Sequence, residues 1–126
     1  MNKAIATPNA PAAIGPYSQA VQAGNTVYVS GQLPIDPATG AFAGEDIASQ
    51  TRQSLTNLKA ILEANGMAMS DVVKTTVYLA HMEDFAAMNQ VYAEFFSAPY
   101  PARAAFEVAC LPKNALVEIE CVAVKA

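Results

Sequence analysis

The segment at residues 116–124, LVEIECVAV, constrains the fold more than any other, because it alternates as a β-strand with two different faces does. One face carries only apolar or small side chains: Val117, Ile119, Cys121 and Ala123. The other face combines two carboxylates with two valines: Glu118, Glu120, Val122 and Val124. We expect the first face to cover a hydrophobic core. The second, half apolar and half polar, is expected to take part in association between subunits.

The remaining periodicities predict the element order β-β-β-α-β-α-β-β. A helix is expected over about 46–65, beginning at the capping residue Asp46 and ending at Asn65-Gly66. Its apolar positions recur at helical spacing: Ile47, Thr51, Leu55, Leu58 and Leu62. A second helix is expected over about 84–97. The predicted strands cover residues 3–6, 17–22, 26–30, 71–79, 103–109 and 116–124, and a loop rich in Pro and Gly covers 31–44.

Two helices among six strands, with no internal repeat or linker, predict one domain over residues 1–126. The expected fold class is α+β, a single sheet with two helices packed on one face. The strands at 17–22 and 26–30 form a hairpin around the Ala23-Gly24-Asn25 turn.

A second hairpin is expected between the strands at 103–109 and 116–124, around Pro112-Lys113-Asn114. This register pairs Glu107 with Glu118 and places Arg103 about 13 Å from Glu118 along the strand direction. If both residues are catalytic, they are then expected to meet across a subunit boundary.

Composition excludes several classes of function. Seven Lys and Arg residues oppose eleven Asp and Glu, and no basic run exceeds one residue, so no nucleic acid is expected as a partner. Charged residues are only 14% of the chain, which favours an oligomer that buries part of its surface. No segment approaches the ~20 apolar residues that span a bilayer. The N-terminus lacks the apolar stretch of a signal peptide, so we expect a cytoplasmic protein with no membrane partner.

The usual metal and nucleotide motifs are missing from the sequence. His81 is the only histidine, and Cys110 and Cys121 form no CxxC pair, which argues against a metal site. The cysteines are interpreted as reduced and structural, with Cys110 on the opposite strand face from Ala105. Tyr92, with Phe95, Phe96 and the methionines, is interpreted as core.

Arg103 and Glu118 are the strongest candidates for chemistry. An arginine at the start of a strand, among small and apolar neighbours, offers a planar fork of donors that matches a carboxylate. Its alternatives are a structural pair with Glu107 or a solvent contact. A carboxylate in an apolar strand has its pKa raised by desolvation, as a general acid or base requires. The alternative for Glu118 and Glu120 is an edge strand that points its glutamates into water.

Four further residues could line a site. Tyr17 could supply a hydroxyl, and Gly31, after Ser30, could present its backbone to a ligand. Taken singly, each is more often a turn residue or an aromatic at the edge of a core. Asn89, on the second helix, could belong to the site or to the helix surface.

Taken together, these segments resemble the Rid family, the reactive intermediate deaminases also called YjgF-like proteins. The resemblance covers nearly the whole chain. The matching segments are APAAIGPYSQ at 10–19, VSGQLP at 29–34, Asp84-Phe85, Asn89, PARAAFEV at 101–108, LPK at 111–113 and VEIE at 117–120. The intact arginine and glutamate indicate the enzymatic RidA subgroup.

The resemblance implies a mainly antiparallel, chorismate-mutase-like fold, assembled as a homotrimer with sites between subunits. It implies hydrolysis of 2-imino or enamine acids to 2-keto acids and ammonia, with no cofactor and no metal. Arg103 would bind the substrate carboxylate, Glu118 would activate water and move protons, and the Gly31 backbone would bind near the imine nitrogen. The residues that would line the pocket are Tyr17, Ser30, Asn89 and Ala105.

One position departs from the pattern of many bacterial relatives, which carry a cysteine where this chain has Ala105. A mechanism that depends on that thiol is therefore excluded. The main alternative to an enzyme is a module that binds a small carboxylate or keto acid without turnover, and which would not depend on Glu118. A ribonuclease, the third possibility, would show RNA affinity that depends strongly on salt.

Overall fold

The computed structural model describes all 126 residues and contains the predicted elements in the predicted order. The strands are β1 (Lys3–Ile5), β2 (Ala20–Ala23), β3 (Thr26–Gln32), β4 (Val72–Leu79), β5 (Ala102–Glu107) and β6 (Val117–Val124). The helices are α1 (Ile47–Ala64) and α2 (Phe85–Phe95). None of the helices combines the length and the apolar character that crossing a bilayer requires.

All six strands form one sheet in the order β1-β2-β3-β6-β4-β5. Every neighbouring pair is antiparallel except β4 and β5, which are parallel. The two helices cover one face, where α1 packs on β3 and β6 and α2 packs beside α1. The α+β class, the single mainly antiparallel sheet and the β2–β3 hairpin are therefore confirmed.

The hairpin predicted between the last two strands is wrong. β4 lies between β5 and β6, so Arg103 is in register with Thr75, and Glu118 with Tyr78. The physical reason is the helix between β4 and β5. A strand–helix–strand connection returns the chain parallel to its starting strand, which makes β5 the neighbour of β4 and leaves β6 to pair elsewhere.

Several predicted boundaries also move. β3 extends through Gly31 to Gln32, so the loop expected from residue 31 begins two residues later. β2 begins at Ala20, which leaves Tyr17 in the preceding loop. β5 ends at Glu107, so Cys110 lies in an exposed loop and not on a strand face.

The alternation along β6 is confirmed by burial. Its core-facing residues are almost completely buried: Val117, Ile119, Cys121 and Ala123. The predicted stripe of α1 packs against them, with Leu55, Leu58 and Leu62 fully buried. Asp46 caps α1 as expected, because its carboxylate accepts the backbone N–H of Ser49 at 3.0 Å.

Buried amide side chains fix the loops around this core. Gln19, 4% exposed, accepts the N–H of Thr7 at 2.7 Å and donates to the carbonyls of Ala10 and Pro11. Asn57 of α1 donates to the carbonyls of Leu33 and Ile35 at 3.1 and 3.0 Å. These bonds anchor the N-terminal loop and the chain that follows β3, the two segments on either side of Gly31.

We predict that Gln19→Leu lowers the free energy of unfolding by about 2 kcal/mol, because it leaves several backbone groups of the N-terminal loop without a partner. Chemical denaturation measures this loss. Gln90→Leu, at an exposed position of α2, is the control and should stay within about 0.5 kcal/mol of wild type. Equal stability of the two variants would contradict the anchoring role of Gln19.

Candidate active site

Arg103 lies on β5, at the edge of the sheet, with its side chain on the helix-covered face. Its Nη1 donates to Oδ1 of Asn89 at 2.6 Å. Its Cζ lies 4.8 Å from the ring centroid of Tyr92 and 5.4 Å from that of Phe85. We call these four residues the arginine half-site. The three side chains that contact the guanidinium all belong to α2, which the strand–helix–strand connection places over β5.

No carboxylate neutralises Arg103, which removes its structural alternative. The chain's single salt bridge joins Arg52 to Glu94 at 2.6 Å. Glu107, the expected structural partner, instead accepts the N–H of Met82 at 2.7 Å. Arg103 opens into a cleft of about 480 Å³, whose other lining residues are Asn89, Tyr92, Ala93, Tyr100 and Pro101. A cation with unpaired donors in an open cleft is suited to binding a small carboxylate.

Glu118 lies on the open face of the sheet and is partly buried. Desolvation raises the pKa of its carboxyl group, and the nearby charge of Glu120 raises it further. Glu118 also explains Gly31. A Cβ at position 31 would overlap the Glu118 carboxylate and would lie 2.9 Å from its Cδ, so glycine lets the carboxylate take this position and a larger residue would displace it.

The Gly31 segment brings Tyr17 to the same part of the molecule. Both line a smaller cavity of about 170 Å³, together with Lys113. The Ser30 hydroxyl donates to the carbonyl of Ser18 at 2.6 Å and so holds the loop that carries Tyr17. We call Glu118, Gly31 and Tyr17 the glutamate half-site.

The structure does not bring the two half-sites together within one chain. Arg103 is on the helix-covered face and Glu118 on the opposite face, with β4 between their strands. Two strand spacings separate them by roughly 10 Å across the sheet, and a three-residue offset adds roughly 10 Å along it. A small acid therefore cannot contact both side chains of the same chain.

The structure also shows where the remaining predicted residues, Ala105 and Cys121, lie. Ala105 is in register with Val77, on the face of Arg103, and packs against the core. Burial raises the pKa of the Cys121 thiol to about 12, which keeps it protonated and agrees with a structural role. Lys113 and Tyr92 also line the two cavities, although no sequence motif assigns them to a site. The signal for Tyr92 was its spacing on α2, three residues after Asn89 and therefore on the same helix face.

The fold and its two half-sites define a class of α+β protein that displays an arginine without an acidic partner and a partly buried glutamate on one sheet. Residues 7–125 match the family model described as Endoribonuclease L-PSP. The chain is 55% identical to the 2-iminobutanoate/2-iminopropanoate deaminase of Salmonella typhimurium, over 99% of both chains. It therefore belongs to the Rid family, also known as YjgF-like proteins.

Solved structures agree with this assignment. The YjgF gene product of Escherichia coli superposes with a TM-score of 0.95 at 52% identity, over 98% of this chain and 99% of that one. TdcF of E. coli, in a crystal structure with bound serine, superposes with a TM-score of 0.94 at 46% identity, over the same shares.

The raised pKa of Glu118 predicts a pH-dependent stability. The folded state binds this proton more tightly than the unfolded chain does, so the contribution is present at low pH and is lost as the pH rises through the folded-state pKa. Glu118→Gln should therefore raise the melting temperature, relative to wild type, by more at about pH 7.5 than at about pH 4.5. Differential scanning calorimetry measures both values. An equal difference in melting temperature at the two pH values would contradict the burial of an ionisable Glu118. The control is Glu63→Gln, at an exposed position of α1.

Proposed function

We propose that this protein hydrolyses 2-iminopropanoate and 2-iminobutanoate, and the enamines in equilibrium with them, to 2-keto acids and ammonia. The observation that carries the proposal is Arg103, a cation oriented by Asn89 and Tyr92 that faces an open cleft without an acidic partner. The name of the Salmonella relative, identical at 55% of positions, supports the same reaction. Removal of reactive enamines would protect the pyridoxal-phosphate enzymes that release them, and we place this role in the cytoplasm.

The chemistry required of the residues is modest. Arg103 binds the substrate carboxylate and thereby fixes the position of the imine carbon. Glu118 accepts a proton from water as the water oxygen bonds to that carbon, and the C=N π electrons move to nitrogen. Glu118 then returns the proton to nitrogen, which gives the carbinolamine. Transfer of the carbinolamine hydroxyl proton to nitrogen, again through Glu118, accompanies formation of C=O and cleavage of C–N, and releases a keto acid and ammonia. Gly31 lies against the Glu118 carboxylate, and Tyr17 lines the same cavity as Gly31. The Gly31 carbonyl and the Tyr17 hydroxyl are therefore the groups that would hold the imine nitrogen and the water.

No electrons are transferred in this hydrolysis, and the imine carbon is already electrophilic. The reaction therefore needs neither a redox cofactor nor a metal. The raised pKa of Glu118 suits a group that both accepts and returns a proton.

The two half-sites must come from different copies of the chain, because they lie on opposite faces of the sheet. The open face that carries Glu118 also carries exposed aromatic side chains, among them Tyr28 and Phe106. β5, which carries Arg103, is an edge strand whose outer side is unpaired. Association through this face and edge would bring Arg103 of one copy to Glu118 of the next. We assign a homotrimer on the family resemblance, with one single-domain copy of residues 1–126 per subunit.

A module that binds a small carboxylate without turnover is the second candidate. It is favoured by the crystal structure of TdcF, a relative at 46% identity, with bound serine. Such a module would use the arginine half-site and would have no need for a proton carrier.

The test of the proposal is release of 2-ketobutyrate in a coupled assay with a threonine dehydratase. Wild-type protein should accelerate release. Arg103→Ala should lower kcat/KM by at least about 100-fold, because the carboxylate loses its charged partner. Glu118→Gln should lower kcat by about 10²–10⁴-fold while retaining affinity for 2-ketobutyrate.

Arg52→Ala, which removes the other α2-facing arginine, is the matched control and should keep wild-type activity. Binding of 2-ketobutyrate with no acceleration by wild type would establish the second candidate. Full activity of folded Arg103→Ala would overturn the role of Arg103 in both candidates, and wild-type protein that neither accelerates release nor binds 2-ketobutyrate would overturn the candidates themselves.

Shared sites predict complementation between inactive variants. When Arg103→Ala and Glu118→Gln chains assemble randomly in a ring, about one quarter of the interfaces combine an intact arginine with an intact glutamate. Co-expression with two affinity tags, followed by purification and light scattering, gives the mixed oligomers and their size. We expect about a quarter of wild-type activity before the selection for both tags. Mixed oligomers without activity would place both residues of each site in one chain and contradict the intersubunit arrangement.

A further inference from the structure

A buried hydrogen bond lies directly behind Arg103. The Thr75 hydroxyl and the Tyr92 hydroxyl are 2.8 Å apart, and both residues are buried, at 0% and 6% exposure. Thr75 is the register partner of Arg103 on the adjacent strand β4. The bond therefore joins the strand beside the arginine to the aromatic ring that contacts its guanidinium.

This bond fixes the Tyr92 ring at the end that lies deepest in the core. The face of the ring then lies 4.8 Å from the Cζ of Arg103, where its negative quadrupole attracts the cation. Asn89, one helical turn earlier on α2, holds Nη1 of the same guanidinium. Two residues of α2 thus fix Arg103 by independent contacts, one to an N–H group and one to the plane of the guanidinium.

The polar pair is hard to explain by packing alone. The other core-facing residues of β4 nearest Thr75 are apolar, Val77 and Leu79, and a valine–phenylalanine pair would occupy the space of Thr75 and Tyr92 without a buried polar atom. Burial raises the pKa of the Tyr92 hydroxyl, which remains neutral and able to share the hydrogen bond with Thr75.

We propose that Tyr92 and Thr75 are positioning residues for Arg103. They hold the guanidinium in the orientation that presents its remaining N–H donors to a carboxylate in the cleft. An exposed arginine without such support loses side-chain conformational entropy when it binds, and the support lowers this cost. The inference rests on the proposed function only for the identity of the carboxylate.

The positioning role of Tyr92 and Thr75 can be tested separately from protein stability, because both hydroxyls can be removed without changing the shape of the core. The variants are Tyr92→Phe, Thr75→Val and their combination, with calorimetric titration of 2-ketobutyrate as the first readout. Replacing both partners of a hydrogen bond by apolar groups of the same shape is nearly neutral for stability. We expect the double variant to keep the wild-type melting temperature and to bind 2-ketobutyrate about threefold more weakly. This loss of affinity should not exceed that of either single variant, because all three variants remove the same hydrogen bond.

Tyr92→Leu removes the ring itself and should weaken binding by about tenfold. Its matched control is Val91→Ala. Val91 is the residue before Tyr92 on α2 and is equally buried, but it does not line the cleft of Arg103. This control should lower the melting temperature and leave the Kd unchanged. In the coupled assay the positioning variants should raise KM and leave kcat within about twofold, since Glu118 is untouched.

Wild-type affinity in the double variant and in Tyr92→Leu would overturn the positioning role. A fall in affinity that follows melting temperature across all variants, Val91→Ala included, would overturn it too, because packing would then be the cause. Binding by wild type without imine hydrolysis would overturn the proposed function and leave the positioning role to be decided by the same affinities. No binding of 2-ketobutyrate by wild type would overturn both.

Discussion

The position of β6 between β3 and β4 is the constraint on which both the core and the glutamate half-site depend. A central strand has neighbouring strands at both edges, so its side chains point only to the two faces of the sheet. Here those faces are different environments, because the helices cover one of them. The helices cover the face of Ile119, where a carboxylate would lose its contact with water, and the alternation of β6 places Glu118 on the open face instead. Pairing with β3 then brings the backbone of Gly31 against the carboxylate, within a sheet irregularity between Val29 and Gln32. The partial burial of Glu118 and its proximity to Glu120 follow from the same position on β6.

The arginine half-site depends on a different and more local feature, the strand–helix–strand connection. The chain leaves β4, forms α2 and returns as β5 parallel to β4. This unit lays α2 over the edge strand, so that Asn89 and Tyr92 reach Arg103 without help from the rest of the sheet. One half-site is therefore built by a short connection at the edge and the other by long-range pairing at the centre. Because they face opposite ways, the proposed reaction couples catalysis to assembly.

The sequence predicted what local patterns control. The helix from Asp46 to Asn65, the β2–β3 turn and the two faces of β6 are confirmed, since capping, turn chemistry and alternation act over a few residues. The predicted neighbour of β5 is wrong, because the strand–helix–strand connection pairs β5 with β4 and not with β6, the next strand along the chain. Tyr92 was assigned to the core, which is correct for its burial and incomplete for its contact with Arg103. The catalytic and binding roles of the site residues stay predictions.

The sequence alone determined which residues could carry chemistry: an arginine among small residues, and a glutamate in an apolar strand. Periodicity also determined the face of its strand on which each lies, because side chains alternate with a period of two. Only the tertiary structure decided how those faces relate to one another. Strand order depends on long-range pairing, which the alternation within one strand does not encode, and it places Arg103 beside α2 and Glu118 on the far side of the sheet. A hairpin would have made the two strands neighbours; the inserted β4 separates them.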